Sequence, residues 1–588
     1  MKKLTCFLAG AAMALATSAM AQNSDTRTYF TARMSQQDVP PQLSGDERAF
    51  YVQLFSAIER ADWATVEMLF AQRPGGLLHD VAKAEYYLAA TSPRVELSQI
   101  EAWLQTGRNL PQAAQIGRLG LTRGAVSEPS LPPQRALMPQ GSPPKRVRPR
   151  SVDDGTMPAD IRAAILDRIT NDDPDGARLL LDGVDYALSP AARAEWRQRV
   201  AFSYFIENND AASLAMAQTV GAGGSGEWVA EGDWVAGLAA WRLGDCKQAG
   251  DAFQRAAYNA TNPTLRAAAL YWASRSALIC RQPELSTKLL SDAATSDHTL
   301  YGMLAAEQLG RPLPKERAQA DFTTEDWRAI GGIENVRIAV ALNEIGRDIL
   351  ASQVLLHQAR IGSPDQFERL SRLARSLSFP RTQLYMAGNA PRGGQAAEAS
   401  RYPAPKWQPS TGWQVDPALA YAHILQESVF DKDAVSPAAA RGLMQITAPT
   451  VRQNAPCVGR SAEALNVFDP ATNLALGQCN LQMVARDPAT QAKLPKMMAA
   501  YNAGLSPITR WEYEIRDQGD PLLYMEAIPY WETRGYVAIV MRNYWMYERQ
   551  AGAASPSRLA LAQNAWPMFD GSARTENNGR VWLSTGGK

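Results

Sequence analysis

Apolar residues recur at helical spacing along almost the whole chain, and nowhere do they alternate with polar ones over a run of β-branched positions. Each helix so patterned must bury one stripe against another helix, which restricts the chain to helix-on-helix architectures with few strands. Phe50, Leu54, Phe55 and Ile58, then Trp63, Val66, Leu69 and Phe70, broken near Pro74-Gly75-Gly76, predict helical hairpins over 46–125. Between 126 and 157 the density of proline defeats both helices and sheet ladders, which predicts a Pro-rich linker. Its basic run, Lys145 to Arg150, reads as a solvated face.

Helical patterning resumes over 158–390. Trp234 to Asp245, with Ala249 and Phe253, looks like one tetratricopeptide-type hairpin, although no strict 34-residue repeat is kept. Hairpins that cannot bury their apolar faces alone stack on one another, so an irregular α-superhelix is expected. A Pro- and Gly-containing stretch from Ala390 to Pro409 marks the clearest domain boundary. Beyond it, 402–550 forms a further helical domain, and the small, polar tail 551–588 reads as disordered.

The sequence of 588 residues carries 60 Lys+Arg against 59 Asp+Glu, a net charge of +1. That near-balance removes any global electrostatic case for nucleic acid or an anionic membrane as partner. Met1-Lys2-Lys3, the apolar run Leu4–Thr17 and the small-x-small end Ala19-Met20-Ala21 read as a signal peptide over 1–21. The run is shorter than the ~20 residues a spanning helix needs. Export to the periplasm follows, with 22–45 as a flexible lead and no integral membrane segment.

Without Cys6, four cysteines remain, Cys246, Cys280, Cys457 and Cys479. An oxidising compartment would pair them. Three connectivities are possible; proximity favours Cys246–Cys280 and Cys457–Cys479, with buried free thiols as the alternative. CxxC pairs are lacking and the four histidines are scattered, so no metal and no cofactor are expected.

The chemistry concentrates in 402–550. Asp416-Pro417 is a helix start, and the helix it opens runs through His423 to Gln426-Glu427-Ser428. A carboxylate closing so apolar a helix would be partly desolvated and a proton donor near neutral pH. Downstream stand Gly442-Leu443-Met444-Gln445, then Ala500-Tyr501-Asn502-Ala503-Gly504, then Glu532-Thr533-Arg534-Gly535-Tyr536-Val537.

In these four blocks, in this order and approximate spacing, the chain resembles the soluble lytic murein transglycosylase family. The blocks cover about a quarter of the chain, and the phrases Tyr271-Trp272-Ala273-Ser274-Arg275 and Tyr301 to Gly310 extend a fainter resemblance into the superhelix. The resemblance implies a mostly α fold, an N-terminal superhelix followed by a lysozyme-like domain. It implies cleavage of the MurNAc-β-1,4-GlcNAc bond of peptidoglycan glycan strands to 1,6-anhydro-MurNAc ends, with Glu427 as acid and then base. By the same analogy Tyr501 and Asn502 line the cleft, Gln445 and Met444 contact acetamido groups, and Gly442 lets the backbone come close. Ser428 orients the site, and Glu532 and Tyr536 add hydrogen bonds to substrate. His423 reads as a packed core histidine.

Departures from the family pattern are Leu425 for arginine, Ala439 for glycine and Thr447-Ala448 for methionine-proline. A monomer is expected, with cell-envelope proteins as possible further partners. The alternatives are a hydrolytic muramidase, which needs a second carboxylate, and a non-catalytic glycan-binding scaffold. Asp431 and Asp433 fall in an expected solvated turn and do not fill the role of that carboxylate.

Overall fold

A chain with 37 prolines is helical because so many of them open helices instead of breaking them. Asp173-Pro174, Ser189-Pro190, Asn262-Pro263, Asp416-Pro417, Asp469-Pro470 and Asp520-Pro521 each place a capping side chain before a proline at the first helical turn. In each pair the cap accepts a hydrogen bond from a backbone N–H of that turn, and proline has no N–H to lose there.

The computed structural model describes residues 26–34, 39–312 and 321–570, with the backbone of 573–574. The signal segment 1–21 and Cys6 lie outside the described residues. The described chain is an α-superhelix followed by a second α-rich domain; its strands are limited to pieces of two or three residues. No described helix is long and apolar enough to cross a membrane. Both proximity-favoured disulfides are formed, Cys246–Cys280 across one hairpin of the superhelix and Cys457–Cys479 between helices Ala448–Val458 and Pro470–Arg486.

Packing cuts across the divisions expected along the chain. The hairpins of 43–116 share one apolar core with 322–390, nearly 300 residues away. Glu344 accepts bonds from the Gln42 and Leu43 amides and pairs with Arg48 at 3.0 Å, while Arg347 pairs with Glu59. A second core runs without interruption from 157–305 into 402–566. Buried polar links cross that junction: Arg275 to Asp520 at 2.6 Å, and the Tyr301 hydroxyl to Glu526 at 2.7 Å.

Three expectations are corrected. The lead is not flexible throughout: 26–34 is a helix, and Phe30 is buried edge-on to Tyr421 and Tyr547 of the C-terminal domain. The tail is ordered through residue 570, since helix Pro556–Ala562 and buried Trp566 close over Tyr524. The linker 126–157 has no helix, as its prolines require, but it is a bound strap. Leu137–Pro139 pairs antiparallel with Asn389–Pro391, and the carbonyls of Pro144 and Arg150 accept from Arg542 and Trp228. Within the basic run Arg146 is not solvated; its guanidinium pairs with Glu231 at 2.6 Å and lies 4.9 Å from the Trp234 ring centre.

Candidate active site

Helix Pro417–Glu427 is apolar all round and buried from Pro417 to Ile424, so only its last turn approaches solvent. Asp416 fixes its start by accepting from the Ala418 amide and, at 2.9 Å, from the Tyr544 hydroxyl. Its end is abrupt. Ser428 caps it, then Val429 and Phe430 take left-handed conformations at φ 53° and 62°. A β-branched residue at positive φ costs about 1 kcal/mol or more, and such strain persists only where surroundings enforce it. Here Phe430 is buried against Trp407 and Tyr421 and Asp431 pairs with Arg381, while Val429 is left 55% exposed beside the helix end.

The turn delivers Glu427 to a half-buried position beneath helix Trp531–Gln550, where the Tyr536 hydroxyl donates to its Oε1 at 2.6 Å. Burial raises the Glu427 pKa to about 7; the Tyr536 bond opposes the rise, and the negative charge of nearby Glu532 adds to it. Burial likewise holds the Tyr536 and Tyr501 hydroxyls well above their ordinary range, so both are protonated donors at any working pH.

Tyr501, on helix Leu494–Ala503, donates to the Met444 carbonyl at 2.8 Å. His423, one turn before Glu427, is the core histidine expected. Its Nδ1 bonds the Leu419 carbonyl at 2.9 Å, its ring lies 4.8 Å from Tyr501 and 6.1 Å from Tyr536, and burial lowers its pKa to about 4, leaving it neutral.

The Gly442–Gln445 block forms a tight turn bridged by mutual Arg441–Ile446 backbone bonds. Gln445, at φ 48°, turns its amide back onto the Ala434 and Gly442 carbonyls. Gly442 is required by packing: at φ 74° a Cβ would run into the Asn473 amide and the Val467 carbonyl. Met444 departs from its expected contact with an acetamido group. Its side chain is fully buried against Gly477, and it reaches the site only through the carbonyl that Tyr501 binds.

Asn502 accepts from Thr533 at 2.7 Å, tying the third block to the fourth, and Ser428 bonds back to the Ile424 carbonyl. Glu532 is exposed and pairs with no cation among the described residues. Glu427, Tyr501, Tyr536 and the Met444 carbonyl therefore converge, with Gln445, Asn502 and Glu532 around them.

One organiser has no signature in the sequence. Asn473 is fully buried; it accepts from the Met444 amide at 2.8 Å and donates to the Arg441 and Val467 carbonyls, holding the second block against helix Pro470–Arg486. A buried asparagine inside an apolar helix is the one available hint, and it does not say what the side chain binds.

Residues 407–522 match the family model described as Transglycosylase SLT domain. The chain is 30% identical over 157 residues to the soluble lytic murein transglycosylase of Escherichia coli (strain K12), covering 26% of this chain and 24% of that one. It is 30% identical over 132 residues to the protein of the same name from Salmonella typhimurium, covering 22% and 20%. The matched segment thus spans about a quarter or less of these relatives. The fold similarity is wider. The 70 kDa soluble lytic transglycosylase Slt70 of Escherichia coli superposes with a TM-score of 0.51 at 15% identity, covering 90% of this chain and 100% of that one. A complex of the 70 kDa soluble lytic transglycosylase with bulgecin A gives 0.52 at 16%, with the same coverage.

Proposed function

With residues 407–522 forming a Transglycosylase SLT domain, we propose that the chain is a periplasmic lytic transglycosylase acting on peptidoglycan glycan strands. One observation carries the reading: a single half-buried carboxyl, Glu427, poised at a pKa of about 7 and held by Tyr536. An acid whose pKa lies near the working pH can both give and take a proton within one turnover.

In the proposed reaction Glu427 protonates the oxygen between MurNAc C1 and GlcNAc, and the C1–O bond breaks. The carboxylate then takes the proton of the MurNAc C6 hydroxyl as O6 bonds C1. The 1,6-anhydro ring closes, Glu427 is protonated again and no water is consumed. Tyr536 steadies the carboxylate between the two steps, and Tyr501, fixed on the Met444 carbonyl, walls the site. In this reading Gln445, Asn502 and Glu532 would supply hydrogen bonds to substrate, and Ser428 would shape the helix end.

A second reading has one observation in its favour. Glu532 lies near enough for its charge to raise Glu427, so it could activate water in a hydrolytic muramidase. Its exposure argues for a lesser role, because a water-activating base works best partly desolvated.

Digestion of purified peptidoglycan followed by mass spectrometry separates the readings. Products one water lighter than hydrolytic muropeptides, lost with Glu427→Gln, are expected. Ordinary reducing ends would establish the hydrolase, and no products from the unaltered chain would leave the non-catalytic scaffold.

A further inference from the structure

The segment that precedes the superhelix is seated on the C-terminal domain. Helix 26–34 turns one stripe inward, Thr26, Tyr29, Phe30 and Arg33, at the i, i+3, i+4, i+7 spacing of a single helical face. Arg27, Thr28, Thr31 and Ala32 are exposed. A helix of nine residues is marginal in water by itself, so this one keeps its shape through what the stripe touches.

Thr26 is buried and its hydroxyl bonds Asp416, the cap that starts helix Pro417–Glu427. The Phe30 ring meets Tyr421 of that helix edge-on, with centres 5.4 Å apart, and Tyr547 of helix Trp531–Gln550 at 6.3 Å. One ring thus joins the two helices that bring Glu427 and Tyr536 together at 2.6 Å. On the other side Tyr29 accepts from Arg375 at 3.2 Å, and Arg33 pairs with Asp321 at 3.3 Å. Arg375 is buried in helix Phe367–Ser376, which packs in the first core. The segment is therefore anchored at one edge and presses on both catalytic helices at the other.

We infer that helix 26–34 is a positioning element for the reaction, in which Phe30 and Thr26 set the Glu427 helix against the Tyr536 helix. Both act through Asp416, Tyr421 and Tyr547 and not by touching substrate. The assignment rests on the catalytic reading above. At 1.5 Å per residue, Glu427 lies about 9 Å along its helix from Tyr421, and Tyr536 about 16 Å along its own from Tyr547. A tilt permitted at the Phe30 end is thus carried to the Glu427–Tyr536 bond. A displacement of about 1 Å at a catalytic group can cost about a hundredfold in rate, so the setting of these helices matters to turnover.

Phe30→Asp in the full chain puts a charge against two buried rings, which drives the segment from its seat. Hydrogen exchange read by mass spectrometry should then show the amides of 418–427 exchanging about tenfold faster or more, with those of the superhelix hairpin 234–279 unchanged. Peptidoglycan cleavage should fall about tenfold or more in kcat at an unchanged KM. A synthetic peptide of residues 22–38, supplied in excess, should restore both, and the same peptide carrying Phe30→Asp should restore neither. The milder Thr26→Val, which loses only the Asp416 bond, should move both readouts the same way by about fivefold, and Thr31→Ala on the exposed face should move neither. Unchanged exchange at 418–427, a rise shared by the superhelix in both Phe30→Asp and Thr26→Val, or no restoration by the peptide overturns the assignment. If the unaltered chain cleaves nothing, the catalytic reading falls, and exchange with its rescue by the peptide still decides whether the segment holds the helix.

Discussion

Tyr536 and Glu532 pull the Glu427 proton in opposite directions. The Tyr536 hydroxyl stabilises the carboxylate and lowers its pKa, while the charge of Glu532 raises it. If protonated Glu427 starts the reaction, the rate falls as pH rises through about 7. Tyr536→Phe should then move that alkaline limb to higher pH while cutting turnover about tenfold or more, and Glu532→Gln should move it to lower pH. Rate profiles from pH 5 to 9 check both, and shifts of the same sign would remove Glu427 as the titrating group.

Linkage supplies a second check at the same residue. Unfolded, Glu427 ionises near its ordinary 4.5, and folded only near 7. Stability from the raised pKa is fully present below 4.5, falls as the unfolded chain alone ionises, and is lost above 7. Glu427→Gln should therefore stabilise the chain by about 3 kcal/mol at pH 8 and by almost nothing at pH 4, read from denaturant midpoints. The candidate reactive residues were legible in the sequence because each sits in a short block whose residue types state their chemistry. Asn473 was not, since its partners Arg441, Met444 and Val467 are its neighbours only after folding.

Helices were the most legible elements, because apolar spacing and Asp-Pro or Ser-Pro starts are local signals. The path of the chain beyond a helix end was less so. Nothing in Val429-Phe430 announces two left-handed residues in succession, which burial of Phe430 enforces from outside the segment. The turn before the second block gives a case where sequence and backbone agree. Ala439, standing where the resembling family commonly has glycine, sits at φ 58°. A residue with a Cβ pays for that conformation and glycine does not. Ala439→Gly should raise stability by about 0.5–1 kcal/mol after its greater unfolded entropy is subtracted, a gain that a urea melt resolves. A loss of stability would mean that the Ala439 methyl contributes more by packing than it costs in strain. The strap was half legible. Proline correctly excluded helix, but the burial of Arg146 depends on Glu231 and Glu526, which no local pattern connects to it.

Across the whole molecule, the division expected near residue 400 is a boundary in composition without being one in packing. Trp241 and Trp272 of the superhelix and Tyr524 and Trp566 of the C-terminal part belong to one uninterrupted core, and Arg275 sits at the join, 5% exposed, against Asp520. Two segments sharing a core cannot unfold separately without exposing it, so 157–305 and 402–566 should melt in a single transition. Arg275→Met leaves the Asp520 charge buried and without its ion-pair partner, at a cost of about 3 kcal/mol. Differential scanning calorimetry of the full chain should then show that shared transition move down as a unit, with the loss of glycan cleavage tracking it. If only a superhelix transition moved while activity persisted to the original temperature, the C-terminal domain would be thermodynamically autonomous. The continuous core makes the opposite prediction. In that case the superhelix supports the Glu427 site directly, because the helices that carry Tyr501 and Tyr536 pack in the same core that Trp241 and Trp272 fill.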